Sequence, residues 1–172
     1  DFIGIVLRNA ETGEVAMACD INEGNLMYVA EWLCSFLIKW LSVTAVIERK
    51  DQGPMIIDYL LHYLVAGGIN PFRRLYNQVV QFADEFPERF SEINSSMLPS
   101  DEVLTKYKKL FGWNTSGGNG ITSRRELYGS TLRSAARYTR HTVRDRKLIL
   151  QVLGLEIRGG RVDHGDGEHD DL

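Results

Sequence analysis

Only two cysteines, Cys19 and Cys34, and four prolines occur among the 172 residues. Two thiols cannot build a disulfide framework, so the fold must rest on a packed core, and a reducing, cytoplasmic setting is the simplest reading. No stretch of about 20 residues is apolar and free of charge, which argues against a membrane-spanning helix. The chain opens Asp-Phe-Ile-Gly, with no basic run leading into an apolar core, and no secretory signal is expected. No phosphate-cradling Gly-Lys-Ser/Thr loop, no Gly-x-Ser-x-Gly elbow and no Cys-x-x-Cys pair is present. Nucleotide-motor, serine-hydrolase and thiol-redox chemistry therefore lack the residues they need. What is there is an ordinary globular composition: 44% apolar, 25% charged, with a net charge of −3. One compact domain, 1–172, is expected at this length.

The charge is unevenly spread. Ten Lys/Arg stand against three Asp/Glu between Ile121 and Arg161, and the ten residues from Asp163 hold five Asp/Glu and no Lys/Arg. A basic stretch running into a dense acidic end suggests a polyanion surface beside a cation site. A solvated helix face followed by a polar loop explains the same pattern.

Residues Phe2–Leu7 and Glu14–Ile21 are β-rich and flank Ala10-Glu11-Thr12-Gly13, with Gly13 placed for positive φ. This predicts an opening hairpin. Asn22 or Asn25 is positioned to cap a helix reaching about Leu41, with Val29, Trp32, Leu33, Phe36, Leu37, Trp40 and Leu41 at helical spacing. Thr44–Glu48 reads as a buried strand ending in a carboxylate. Gly53-Pro54 opens a helix through about Val65, and Gly67-Gly68 ends it. Residues 70–111, broken by Phe86-Pro87 and Leu98-Pro99, read as an elaboration on the core. Within them, Ser100 caps a helix through Leu110. Asn114–Gly120 is a loop, and Ser123 caps a helix from Arg124 to about Tyr138. A shorter helix covers Asp145–Leu153, and a final hairpin turns at Gly159-Gly160. Alternating strands and helices imply an α/β sheet.

Glu48 is the first candidate for chemistry, because sites in open α/β sheets gather at the carboxyl ends of strands. Taken alone, a solvent-facing strand-end Glu is the plainer reading. Asp170 and Asp171 are the second, since adjacent carboxylates repel unless a cation or helix amides neutralise them. Oxygen-rich sites suit Mg²⁺ or Mn²⁺. The third feature is basic: Arg124, Arg125, Arg133, Arg137, Arg140, Arg144, Arg146 and Lys147, with Lys50 beside Glu48, are suited to phosphate contacts. Arg73 and Arg74 are a weaker candidate for the same phosphate contacts.

These pieces, in order, resemble the C-terminal nuclease domain of the large terminase subunit of tailed bacteriophages. The opening Asp1–Val15 looks like that family's hairpin. Ala45-Val-Ile-Glu48-Arg49, Gly53 and Ile57-Asp58-Tyr59-Leu60 look like its strand-acid-helix motif. Gly112-Trp113-Asn114-Thr115, Arg125 and Leu127-Tyr128-Gly129 resemble its later loop and helix. Gly160-Arg161-Val162-Asp163-His164, Gly167 and His169-Asp170-Asp171-Leu172 look like its final acidic motif.

The resemblance implies a ribonuclease H-like fold, a central mixed β-sheet flanked by α-helices. It implies a metal-dependent, largely sequence-independent endonuclease that cuts concatemeric viral DNA by attack of a metal-activated water on the phosphodiester. Glu48, Asp170 and Asp171 would be the catalytic, metal-holding acids for two Mg²⁺ or Mn²⁺ ions. Lys50 and the basic series would grip double-stranded DNA. The implied partners are the terminase ATPase domain, the small terminase subunit and the portal, in the host cytoplasm and with no membrane. The family's first catalytic Asp precedes the turn that Asp1 follows, so the resemblance implies a longer polypeptide with both ends cut here and weak activity from this stretch alone. Lys50 departs from the Asn that many relatives carry. A non-catalytic DNA-binding or motor-docking module of the same fold, or a junction-resolving nuclease, are the alternative readings.

Overall fold

The computed structural model describes residues 3–94, 98–114, 130, 137, 146–158 and 161–164. The elements open with strands β1 (Ile3–Arg8) and β2 (Val15–Ile21), followed by helices α1 (Leu26–Lys39) and α2 (Gly53–Ala66). The short helices α3 (Val80–Glu85), α4 (Ser91–Asn94) and α5 (Asp101–Tyr107) come next, then α6 (Arg146–Leu153) and strands β3 (Leu155–Arg158) and β4 (Arg161–His164). The chain is thus mixed α/β. It divides into two compact units, Asp1–Gly24 with Ser116–Leu172, and Asn25–Thr115. No helix among the described residues is long and apolar enough to cross a membrane.

In the first unit β1 and β2 pair antiparallel, with Ile3 opposite Ile21 and Leu7 opposite Met17. Their turn forms because the Asn9 side-chain oxygen accepts from the amides of Glu11 (2.8 Å) and Thr12 (3.0 Å). Gly13 then takes φ 74°, where a Cβ would be strained. The expected hairpin is present with its glycine in the expected conformation. Strands β3 and β4 also pair antiparallel, Leu155 opposite His164 and Arg158 opposite Arg161. The expected helix at Arg124 to Tyr138 and the turn at Gly159-Gly160 lie outside the described residues.

The second unit is built on α1 and α2. Asn25 is the cap, its side chain accepting from the Met27 amide at 3.1 Å. Val29, Ala30, Cys34 and Leu37 of α1 are buried against a unit that includes Ile56, Ile57, Leu60, Leu61 and Leu64 of α2. Burial pushes the Cys34 thiol above its ordinary pKa. The helix stops at Lys39, two residues short of expectation. Trp32 (43%), Trp40 (51%) and Leu41 (68%) are exposed, so the apolar spacing in α1 spans more than the buried face. Trp32 stacks on Phe36 at 5.8 Å instead. Residues 70–111 supply much of this unit's core: Phe72, Leu75, Val79, Ala83, Ile93, Leu104 and Phe111 are buried. Phe72 and Phe111 pack with ring centroids 4.8 Å apart. Buried Asn77 is fully occupied: its amide nitrogen donates to Phe72 and Leu75 carbonyls, and its oxygen accepts from Val79 and Val80 amides.

Arg74 is 6% exposed, which corrects its reading as a phosphate-binding candidate. Its guanidinium donates to the carbonyls of Leu37, Trp40 and Leu41 at the end of α1, the Trp40 contact being 2.6 Å. These carbonyls lie at and just past the end of α1, where the helix leaves oxygens without intrahelical donors and presents the negative end of its dipole, and the Trp40 oxygen also accepts from the Val43 amide at 3.1 Å. Burial lowers the Arg74 pKa, yet an arginine stays charged. Arg73 is exposed and pairs with Asp84 at 3.2 Å.

The Arg74 cap should dominate the stability of this unit. Arg74→Met is expected to cost about 3 kcal/mol in urea unfolding, since buried carbonyls lose a charged donor. Arg74→Lys should lose less, because an ammonium can still reach part of the set. All three tryptophans fall in this unit, so their fluorescence reads it directly. A loss below about 1 kcal/mol would contradict the assigned role.

A pH effect follows from α4 against α5. Glu92 accepts from Lys106 (2.6 Å) and from the Tyr107 hydroxyl (2.6 Å). The Lys106 bond first, then the Tyr107 bond, hold the Glu92 pKa below its ordinary 4.5. A depressed acid stabilises the fold above its unfolded pKa and loses that contribution as pH falls through the folded value. Glu92→Gln should therefore flatten the stability-versus-pH curve below about pH 4.5 and leave its neutral slope unchanged. An unchanged acid limb would remove the pair from the account.

Candidate functional site

The segment 43–50 leads from α1 to α2, and its hydrogen bonds use one edge. Ala45 donates to the Arg74 carbonyl (2.9 Å) and accepts from Tyr76 (2.8 Å). Further along, Ile47 accepts from Trp113 (2.8 Å) and Arg49 donates to the Trp113 carbonyl (2.7 Å). These make parallel bridges, Ala45 beside Leu75 and Glu48 beside Trp113, while Asn77 bridges Phe111 antiparallel. Exposure alternates along it: Val43, Ala45, Ile47 and Arg49 are partly covered, whereas Thr44, Val46, Glu48 and Lys50 are exposed. The expectation of a buried strand is corrected. The backbone is extended, but it forms isolated bridges and one face is open, with Val46 63% exposed. An apolar run signals burial only if something covers both faces.

Close packing fixes the backbone at Glu48. Gly53, the first residue of α2, lies so near that a Cβ there would sit 1.7 Å from the Glu48 carbonyl oxygen. Gly112 takes φ 83°, and its added Cβ would meet the Ile47 oxygen and Ile57 Cδ1, each at 2.7 Å. The Arg49 guanidinium donates to the Phe111 carbonyl (2.8 Å) and the Lys108 carbonyl (3.2 Å). Glu48 thus stands on the outward face of a segment whose inward residues are pinned. In a parallel bridge, side-by-side residues project to the same face, so Trp113 lies beside Glu48. Tyr76 sits between inward-facing Leu75 and Asn77, and its ring lies 5.7 Å from the Trp113 ring.

Of the other expected site residues, Lys50 is exposed on the same face and makes a loose 3.8 Å pair with Asp51. Arg137 is exposed. Asp170, Asp171, Arg124, Arg125, Arg133, Arg140 and Arg144 lie outside the described residues, as does the side chain of Lys147. The aromatic pair Tyr76–Trp113 was not among the sequence candidates. Nothing in the spacing of residues so far apart signals that they meet.

A hard divalent ion needs several oxygen donors. Glu48 has the right donor chemistry and exposure for one ligand position. Among the described residues no three His, Cys, Asp or Glu side chains gather to complete a set. A groove of about 260 Å³ between α2 and α5 does collect Asp58, His62, Asp101 and Lys108. There, however, Lys108 already neutralises Asp58 at 2.6 Å. Comparison with protein-family models, with curated proteins and with solved structures finds no match to this chain.

The contact at Gly53 is open to a direct check. Gly53→Ala must displace the Glu48 carbonyl and is expected to cost about 2–3 kcal/mol, as overpacking does. Gly24, with nothing within 4 Å, should accept alanine with a change inside about 0.5 kcal/mol. Thermal unfolding of both variants decides it: equal midpoints would remove the steric lock on the acid.

Proposed function

We propose that this chain is the metal-dependent endonuclease domain of a viral genome-packaging terminase, with a ribonuclease H-like fold. The observation that carries the proposal is Glu48: an exposed acid at the end of an extended segment, held by Gly53, Gly112 and Arg49, where the sequence motif puts a catalytic carboxylate. The mixed α/β content and the order of the motifs agree with it. A central mixed sheet would add a further strand to the edge opposite the bridged one.

In this reading Glu48, with Asp170 and Asp171, would hold Mg²⁺ or Mn²⁺. Bound divalent ions would supply Lewis-acid activation of the attacking water and of the leaving oxygen. Glu48 contributes a fixed anionic donor, and Lys50 contributes a cation that offsets the repulsion between the acid and an approaching phosphate. The basic series from Arg124 to Lys147 would grip the duplex backbone without reading bases, which makes cleavage largely sequence-independent. The ATPase domain, small subunit and portal are the proposed partners, in the host cytoplasm.

Nicking of supercoiled plasmid with Mn²⁺ tests this, using the polypeptide that carries the upstream acid implied by the resemblance. Glu48→Ala is expected to lower the rate on the order of 100-fold or more, because the loss of a direct ligand exceeds the loss of a supporting contact. Equal rates would reject the nuclease assignment. Absence of Mn²⁺ binding by the unmodified protein would favour a non-catalytic docking module.

A further inference from the structure

The outward face around Glu48 carries aromatic surface as well as the acid. Trp113 stands beside Glu48 in the parallel bridge, and Tyr76 completes a pair with ring centroids 5.7 Å apart and planes tilted by 52°. Tyr76 and Trp113 are half-buried residues, and Val46 and Lys50 on the same face are exposed. In a packed core, paired aromatics would be covered; Phe72 and Phe111, 2% and 0% exposed, are the example in this unit.

We infer that this face binds an unpaired, single-stranded stretch of DNA, with one base laid on the Trp113–Tyr76 pair and a neighbouring phosphate near Lys50. The inference rests on the nuclease reading for the choice of DNA as ligand, and it narrows the form of DNA taken. Next to a carboxylate, phosphates are repelled, so affinity at that point must come from an uncharged contact. Base stacking is such a contact, and it tolerates any sequence because every base has a π-face. A base inside a duplex is already stacked on its neighbours and offers no free face, so the strand must be opened or frayed where it meets Glu48. The tilt suits this: a base can lie flat on one ring and meet the edge of the other, an arrangement aromatic groups favour.

The test is binding of the whole chain to a labelled oligothymidylate and to a duplex of equal length, by fluorescence anisotropy in EDTA. Trp113→Ala is expected to weaken single-strand binding about tenfold while duplex binding changes less than about twofold. Trp113→Phe should restore most of the loss, and Trp32→Ala, an exposed aromatic on α1, should change neither. Equal loss on both DNA forms, or no loss, overturns the inference. If Trp113→Ala fails to fold, Trp113→Leu and Tyr76→Leu keep apolar bulk without the ring, and wild-type single-strand affinity in both overturns it. Neither metal nor cleavage enters this measurement. Normal nicking by Glu48→Ala together with a selective single-strand defect in Trp113→Ala would reject the nuclease and retain the stacking face.

Discussion

A buried guanidinium holding the end of a helix organises the second unit. Arg74 brings a full charge into the interior, and such a charge is tolerated only where strong acceptors surround it. The last carbonyls of α1 are those acceptors, since a helix end presents unpaired oxygens with negative partial charge. One contact therefore answers two needs, the charge of Arg74 and the acceptor capacity of the Leu37, Trp40 and Leu41 carbonyls. The Arg74 carbonyl in turn takes the Ala45 amide. The position at which α1 ends thus sets where the next extended segment begins its pairing.

From Ala45 the consequences run to Glu48. Alternation along an extended chain leaves no freedom once one residue is placed: with Ala45 inward, Ile47 and Arg49 are inward, and Glu48 is outward. A slip of one residue would turn the acid into the core and expose Ile47. Two glycines then close the register. Gly53, five residues after Glu48, and Gly112, far along the chain, both approach this segment, and each lies where no larger side chain fits. Inward residues do the holding, and the outward Val46, Glu48 and Lys50 are exposed.

Much of this was legible in the chain itself. Turn chemistry announced the β1–β2 hairpin, Asn22 or Asn25 announced a helix start that Asn25 supplies, Ser100 announced another, and Gly53-Pro54 and Gly67-Gly68 bracketed α2. These are local signals, where a side chain serves backbone groups a few residues away. The burial of Arg74 and Asn77 was illegible because their partners are reached only in three dimensions, the Arg74 acceptors lying 33 to 37 residues upstream. Trp32 and Trp40 misled for a related reason: periodicity finds a helix, but in α1 apolar residues occupy two flanks and the pattern does not say which one is buried. Glu48 was found through its motif, whereas Tyr76 and Trp113 become neighbours through the bridges at Leu75, Asn77 and Glu48 and the Gly112 amide that donates to the Tyr76 carbonyl.

On the proposed nuclease reading, the aromatic pair beside Glu48 meets a problem that any acid site on DNA must solve. A cluster of carboxylates repels the polyanion it has to hold, and distant lysines and arginines raise overall affinity without fixing where a given phosphate rests. Positioning near the acid must therefore come either from cations bound between the two anions or from contacts indifferent to charge. In the proposed reading, rings on the same pinned face as Glu48 would provide the second kind. They share the rigid backbone of the acid, so a base resting on them is located relative to the carboxylate by the same hydrogen bonds that locate Trp113. That shared anchorage gives a geometric reason for the acid and the rings to act as one surface: whatever fixes Ile47 and Arg49 to Trp113 fixes the distance between the group that would stack and the group that would hold an ion.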